Sequence, residues 1–213
     1  MTTTADFTDF DKSLIRKWGT KILAVAPMST AIPTSFFDAI TYTPLAFPVG
    51  AFSLGSISTD GVKDSVSIKT DEVSIDQSAA PARVDLSTKS ETLQLTLEES
   101  NAWTHALRAG IPLSKWPTDK KASFAIDEAD ASDFPFMRIF IIARDGVDTD
   151  AHYRVECALK AQISDVGDRT LSRTKEEAFE VTFTLFQDDT DATRRSYIIR
   201  QDGPAYTTHL ATA

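Results

Sequence analysis

The residues that could do chemistry are few in this sequence of 213 residues, and they stand far apart. The three histidines, His105, His152 and His209, have no cysteine neighbours at the spacing of zinc ligands. The one cysteine, Cys157, alternates with apolar residues, so we expect a buried, inert thiol. These residues therefore predict neither a metal centre nor a cysteine nucleophile, and a single cysteine allows no intramolecular disulfide.

Carboxylates are abundant, but their spacing does not indicate a site. The acidic segment 188–191 lacks the glycine and the distal glutamate of a calcium-binding loop and predicts a solvated turn. The acidic segment 127–133 is typical of a solvated loop. Because a glycine-rich phosphate loop and a Gly-x-Ser-x-Gly turn are also missing from the sequence, we predict no enzyme activity and no cofactor.

The composition is that of an ordinary globular protein, 42% hydrophobic and 25% charged, with a net charge of −9. Such an acidic chain is not expected to hold nucleic acid by contacts to phosphates, which need lysine and arginine. The first dozen residues lack the features of a signal peptide, and no apolar run approaches the roughly 18 residues of a membrane helix. We therefore expect a protein made in the cytoplasm and not inserted into a membrane.

A strand-like segment occurs twice. TKSETLQLTL at 88–97 is similar to TKEEAFEVTFTL at 174–185. Leu93, Leu95 and Leu97 of the first copy correspond to Phe179, Val181 and Phe183 of the second. In both copies apolar residues alternate with polar ones, which predicts strands with one buried face and one wet face.

Each copy ends a longer unit of a strand, a polar connection and an alternating strand, at 62–98 and again at 153–186. These units predict two long hairpins. In the second unit we place one set of residues on a single apolar face: Tyr153, Val155, Cys157, Leu159, Ala161 and Ile163. Further strands are predicted at 20–26, 137–146 and 194–201, and a helix at 99–109. The fold class is mainly β, a β-sandwich or open barrel with one flanking helix and two long hairpins.

We interpret residues 1–213 as one domain with three extensions. These are a polar N-terminal arm at 1–12, a loop at 34–61 that is rich in proline and aromatic residues, and a C-terminal tail at 203–213. The loop is too apolar for a solvated connection, so it packs either over its own core or on another chain.

Three features carry a resemblance to a known family: the strand segment DGVKDSVSIKTDEVSI with SETLQLTLEES after its connection, the helix NAWTHALRAG, and the later pair FMRIFIIARDG and YRVECALKAQISDVGDRTLSRTKEEAFEVTFTLFQD. In their order and texture they resemble the major tail protein, or tail tube protein, of long-tailed bacteriophages, of the type common in phages of actinobacteria.

The resemblance implies a structural protein of the virion tail that forms hexameric rings. The rings stack into a hollow tube through which genomic DNA passes without specific binding. Expected partners are further copies of the chain, a tape-measure protein and tail-tip or terminator proteins. Each subunit contributes two hairpins to one continuous barrel around the channel, which would explain the repeat.

Two sets of site residues follow from this interpretation. The residues expected to face the lumen are Lys69, Thr92, Gln94, Thr96, Glu156, Lys160, Gln162, Glu180, Thr182 and Thr184. The residues expected to contact a neighbouring subunit or ring are Phe36, Phe37, Tyr42, Phe47 and Phe52.

Other interpretations stay open at this point. A tail terminator or a head–tail joining ring has a similar fold but does not polymerise, and the tube of a contractile tail is a related option. A β-sandwich module that binds carbohydrate or a cell surface is a third possibility, although Trp18, Trp103 and Trp116 do not fall together on one strand.

Overall fold

The computed structural model describes residues 11–73, 83–126 and 134–210. Its strands are β1 (Thr20–Pro27), β2 (Phe52–Val73), β3 (Arg83–Leu97), β4 (Met137–Asp145), β5 (His152–Val166), β6 (Phe179–Phe186) and β7 (Tyr197–Asp202). Helix α1 (Ala102–Arg108) follows β3, and short 3-10 helices occupy Lys12–Leu14, Leu113–Lys115 and Asp148–Asp150. The mainly β architecture with one α-helix is confirmed. Most of the predicted N-terminal arm, the acidic segment 127–133 and the last three residues of the tail lie outside the described residues.

Antiparallel pairing closes the sheet into a barrel. The strand order is β4-β1-β2-β3-β6-β5-β7, and β4 pairs in addition with β5. That pairing joins β4, at one end of the row, to β5, the last strand but one, so six strands form a closed ring and β7 lies beside β5, in line with β6. Closure removes most of the exposed sheet edges that an open sheet would have.

The barrel interior is filled by the apolar faces of the alternating strands. Leu93 and Leu97 of β3 and Phe183 of β6 are fully buried there, together with Leu23 and Ile139 from the opposite wall. The apolar alternation that the sequence shows in both copies of the repeat therefore packs into one core, as predicted.

A second apolar layer covers the outside of the barrel. Phe140 and Leu159 point away from the interior. Phe36 and Phe47, in the loop between β1 and β2, pack against them. The loop is braced by Asp38, whose carboxylate accepts hydrogen bonds from the backbone of residues 40 and 41. The loop that the sequence places at 34–61 is shorter than expected, because Phe52 already begins strand β2.

Strand β5 contains a bulge that changes which residues face the core. Opposite β4 the register shifts between Met137 and Ile139. Before the bulge, Cys157 and Leu159 belong to the outer layer; after it, Ala161 and Ile163 point into the barrel. The prediction of one continuous apolar face on this strand was therefore wrong, because an extra residue in one strand reverses the side on which later side chains emerge.

A capping box stabilises the N-terminus of helix α1. The Asn101 side chain accepts hydrogen bonds from the backbone amides of Trp103 and Thr104, and the Thr104 hydroxyl accepts one from the Asn101 amide. Ala106 and Leu107 enter the main core. Gly110, with φ +68°, follows the helix as the sequence predicted.

Candidate functional site

The two predicted hairpins lie side by side in one curved sheet, in the order β2-β3-β6-β5. Strands β3 and β6 pair antiparallel, with Leu95 opposite Val181. These two residues also correspond to each other in the sequence repeat. The two copies are therefore related by a local pseudo-twofold axis at this pair, and the hairpins point in opposite directions.

One face of this sheet is polar and lies on the outside of the barrel. Pairing places Ser65, Thr92, Thr184 and Gln162 in one row across the four strands. Gln94 and Thr182 are neighbours in the next row, and Thr96 lies opposite Glu180 beyond them. Strand alternation puts eight of the ten predicted lumen residues together here: Lys69, Thr92, Gln94, Thr96, Gln162, Glu180, Thr182 and Thr184. We call this surface the polar sheet face.

Lys160 lies at the border of the polar sheet face and is held by its neighbours. Its ammonium is 3.5 Å from an Asp189 oxygen and lies 4.9 Å from the centre of the Phe136 ring. Phe136 in turn meets Phe186 edge to face, at 5.4 Å between ring centres. This exposed aromatic pair was not predicted from the sequence; the one local signal for it is the apolar residue at 186, which breaks the polar alternation of β6.

Glu156 was expected on the same face, and the structure contradicts this. It lies opposite Ile141 of the main core, on the far side of the β5 bulge from Gln162. There it accepts a hydrogen bond from the Tyr197 hydroxyl and pairs with Arg154 at 2.8 Å. Burial, followed by the charge of Glu156 and this hydrogen bond, raises the Tyr197 pKa above its ordinary value. Glu156 therefore braces one end of the barrel interior.

The polar sheet face is dominated by neutral hydroxyl and amide groups. Gln94 donates a hydrogen bond to Glu180 at 2.6 Å, which occupies part of that carboxylate. The positive charges of β2, Lys63 and Lys69, stand on the same side. This surface has few fixed charges and no cluster of basic residues that would bind phosphates strongly.

The outer half of the first hairpin projects from the barrel. Strand β6 accompanies β3 only from Glu91 to Leu97, so residues 67–73 and 83–90 pair only with each other among the described residues. We call these two segments the ribbon; it extends about 20 Å at the usual rise per residue. Large apolar side chains lie exposed on the face opposite to the polar one: Val66, Ile68, Val84 and Leu86.

The sheet also has free backbone edges. Within the described residues, β1 accompanies β2 only up to Ser56, which leaves one edge of β2 unpaired from Val62 onward. On the other side of the sheet, β4 accompanies β5 only up to Ala161. Unpaired strand edges are templates for pairing with another chain.

The five aromatic residues expected at subunit contacts pack largely within their own subunit. Phe37 is buried, Phe36 and Phe47 cover the outer layer, and Phe52 contacts Trp103 and Trp116. Tyr42 stacks on His209 of the C-terminal tail, with ring centres 3.4 Å apart.

The same loop nevertheless presents three other apolar side chains to solvent. Val49 is fully exposed, Ile40 is largely exposed and Leu45 is about half exposed. These three residues were not predicted from the sequence, in which the aromatic residues of the loop are the more prominent apolar groups.

One polar cluster among the described residues combines a serine, a histidine and a glutamate but does not have the geometry of a catalytic triad. The Ser100 hydroxyl lies 3.1 Å from His105 Nε2 and donates to Glu177 at 2.5 Å. A catalytic triad requires the carboxylate on the other ring nitrogen, whereas Glu177 approaches Nε2, at 3.8 Å. Burial lowers the His105 pKa from its ordinary value, with Glu177 opposing that effect. This cluster ties helix α1 to the connection between β5 and β6.

Two other groups with candidate chemistry are structural. Cys157 is buried, and burial raises the pKa of its thiol to about 12, which makes it unreactive. Asp188 is not the solvated residue that the sequence suggested: it is buried, 2.9 Å from Arg138. Burial acts to raise its pKa, but hydrogen bonds from Thr190 and the charge of Arg138 outweigh burial and hold the pKa below its ordinary value.

Residues 11–73, 83–126 and 134–210 are the described part of the chain. No group of three or more histidine, cysteine, aspartate or glutamate side chains is arranged there to hold a metal ion. No helix of this part of the chain has the length and apolar character needed to cross a bilayer.

Comparison with known proteins gives one family. Residues 10–209 match the family described as phage tail tube protein. No curated protein sequence matches the chain. Among solved structures, a similar chain occurs in the cryo-EM structure of the anti-feeding prophage (AFP) baseplate, 6-fold symmetrised. That similarity covers 97% of this chain and 100% of the other, at 10% identity and a TM-score of 0.37, which is too low to bear on fold or function.

Proposed function

The chain belongs to the phage tail tube protein family, and from this premise we propose that it forms hexameric rings that stack into the hollow tail tube and guide the genome to the host. Membership makes it a structural component of the phage tail. The proposal adds the hexamer, the lumen and the passage of DNA.

One observation carries the proposal: the polar sheet face, which spans both hairpins and ends in free edges on either side. If β2 of one copy pairs with β5 of the next, the four-stranded sheets join into one continuous barrel. Its inner wall would be the polar sheet face, and the outer wall would pack on the subunit cores. The repeat would then have a structural reason: each hairpin needs an apolar face that packs on the subunit core and a wet face that lines the channel.

The number of strands limits the number of copies. Twenty-four strands at about 4.8 Å spacing give a circumference near 115 Å and a diameter of about 37 Å before strand tilt widens it. That diameter admits a DNA duplex. Three copies would give only about 18 Å, which side chains would fill.

The chemistry of the polar sheet face suits a channel that must not retain its cargo. Duplex DNA is held chiefly by lysine and arginine against phosphate, with counterion release as the driving force. Thr92, Gln94, Thr182, Thr184 and Gln162 are neutral, so the central band of the wall would offer hydrogen bonds to water. Lys63, Lys69, Asp165 and Glu180 add charges of both signs around this band.

Contacts between rings would involve the exposed apolar residues of the loop, Ile40, Leu45 and Val49, in place of the aromatic set. The tape-measure protein and the tail-tip or terminator proteins are the further partners that we propose. The aromatic residues stabilise the loop that presents these side chains.

The proposal is tested by electron microscopy of the purified protein over a concentration series. We expect stacked rings or hollow tubes at high concentration, and end-on class averages with sixfold symmetry. Single rings that never stack would favour a tail terminator or joining ring. Monomers at every concentration, also after addition of tail-tip proteins, would contradict the proposal.

A further inference from the structure

The C-terminal tail meets the loop between β1 and β2 beside the end of β7. We propose that Tyr42, Asp202 and His209 are positioning residues, which fix the loop tip, residues 38–43, so that Ile40 contacts a neighbouring ring. The inference rests on the proposed function, because it assigns the tail a role in ring stacking. The three positioning residues act within their own subunit and need not touch the neighbouring ring.

A groove separates the loop tip from the end of β7. Its volume is about 230 Å³, and its lining includes Phe36, Asp38, Tyr42, Arg200, Asp202 and Leu210. The base of the loop is fixed on the barrel by Phe37, which is buried, whereas Ile40 at the tip is 84% exposed. Because the groove lies between them, packing on the barrel does not by itself determine the direction in which the tip points.

A buried carboxylate at the end of β7 anchors the tail. Asp202 is only 2% exposed. It accepts hydrogen bonds from the amides of Gly203 and Leu210, at 2.8 and 2.9 Å, and from Nδ1 of His209 at 2.8 Å. Since an ionised carboxylate can only accept, the Nδ1 atom carries the proton. Burial of a negative charge is unfavourable unless donors surround it, so Asp202 holds the ring of His209 in one place.

The anchored histidine supports the loop tip through its ring. His209 and Tyr42 stack with their ring centres 3.4 Å apart and their planes within 3° of parallel. Tyr42 has φ +57°, a backbone conformation that is unfavourable for a residue with a bulky side chain. The stacked rings stabilise Tyr42 in this conformation. The order of the tip, two residues from Ile40, therefore depends on the tail.

The tail has a second point of attachment, which does not involve the loop. The Tyr206 ring meets His152 edge to face, at 4.8 Å between ring centres, and its hydroxyl donates a hydrogen bond to Gln201 at 3.1 Å. His152 Nε2 in turn lies 2.7 Å from a nitrogen of Arg16, in the segment before β1. A change at His209 should therefore free the loop tip without releasing the whole tail.

The variant His209→Ala, which removes both the hydrogen bond to Asp202 and the stacked ring, tests the positioning role. We expect the protein concentration needed for tubes to rise by about fivefold, or roughly 1 kcal/mol, while rings form as before. Hydrogen exchange of the isolated subunit should be faster at amides 40–42, which donate to Asp38, and unchanged in β3 and β6. Thr208→Ala, at an exposed neighbour in the tail, is the matched control and should change neither measurement.

Substitution of Tyr42 tests the same contact from the side of the loop. Tyr42→Phe keeps the stacked ring and should keep the threshold for tubes. Tyr42→Gly should raise the threshold, and since glycine adopts a positive φ readily, a strained turn would not explain the rise. Combined with His209→Ala, Tyr42→Gly should have no greater effect than the stronger single change. Effects that multiply in the double variant would overturn the stacked rings as the cause.

The outcomes separate this inference from the proposed function. Tubes from His209→Ala at the unchanged threshold would overturn the positioning role and leave the tube function intact. Loss of rings, or a clearly lower thermal unfolding midpoint, would show that His209 stabilises the subunit as a whole and would also overturn it. Absence of rings and tubes from the unmodified protein under all conditions would overturn the proposed function and the role in stacking, while hydrogen exchange would still decide whether the tail orders the loop tip.

Discussion

The two hairpins have similar sequences and very different surroundings. In the second hairpin, β6 lies between β3 and β5, and its apolar face is buried in the barrel. In the first, the outer half leaves the barrel as the ribbon, and its apolar face is exposed. The same alternating pattern therefore gives a buried core face in the second hairpin and an exposed apolar face on the ribbon. The difference indicates that the second hairpin stabilises the subunit, whereas in the tube that we propose the ribbon would be available for contact with another copy.

The largest expected effect is on the stability of the subunit, through the buried apolar face of the second hairpin. Phe183→Ala should lower the free energy of unfolding by about 3–5 kcal/mol, because the fully buried ring leaves a cavity in the core. Denaturant unfolding of the isolated subunit measures it. The adjacent Thr184→Ala, on the polar sheet face, should change stability by less than about 0.5 kcal/mol. Equal effects of the two changes would show that β6 is not oriented as described.

Substitutions of the exposed apolar residues of the ribbon should affect assembly and not folding. Ile68→Ser combined with Leu86→Ser should leave the unfolding midpoint of the subunit nearly unchanged, since both side chains are already exposed. Burying each in a contact is worth about 1.5–3 kcal/mol at most, so the threshold concentration for tubes should rise by about tenfold or more. Sedimentation and electron microscopy measure the threshold. Ser90→Ala, on the other ribbon face, is the control, and equal thresholds for both variants would contradict the role of the apolar face.

Two glutamates at equivalent positions of the repeat, Glu91 and Glu177, accept hydrogen bonds in different parts of the molecule. Glu177 accepts a hydrogen bond from Ser100 beside helix α1, and its repeat equivalent Glu91 accepts one from Ser196. Glu177→Gln should cost about 1–2 kcal/mol and Glu91→Gln about 1 kcal/mol, because each weakens a charge-assisted hydrogen bond. Thermal unfolding compares them. Burial and Glu91 raise the Asp64 pKa, so Glu91→Gln should also lower that pKa, which carboxylate NMR titration would detect. An unchanged Asp64 pKa would show that the two groups do not interact.

The smallest expected effect is a pH dependence from His105 of helix α1, which lies beside Glu177 of the connection between β5 and β6. Burial lowers the His105 pKa from 6.5, so the unfolded chain binds the proton more readily than the folded one. The stability from neutral His105 is therefore complete above pH 6.5 and is lost as the pH falls towards the folded-state pKa. Unfolding at pH 7 and pH 5 measures the loss. His105→Gln should remove this part of the pH dependence, and a His105 NMR titration at or above pH 6.5 would contradict the sign.

Much of this architecture could be predicted from local pattern. The strands, the helix and its glycine end, the two hairpins and the apolar faces of both repeat copies follow from side-chain alternation and from turn residues. Eight of the ten residues predicted to face a lumen lie on one face of the sheet, because β3 and β6 keep strict alternation through their paired length. The same reasoning failed for Glu156, since the bulge in β5 depends on the partner strand β4 and has no local signature.

The sequence by itself determined which segments become strands and which side of each strand is wet, because a period of two is a property of consecutive residues. Only the tertiary structure decided that the strands close into a barrel, that the repeats meet antiparallel at Leu95 and Val181, and that the ribbon stands clear of the core. It also decided that Phe36, Phe37, Phe47 and Phe52 pack inward and that Val49 does not. These features depend on contacts between residues distant in the chain. Because burial of apolar surface is favourable with any apolar partner, the local sequence does not specify which residues will meet.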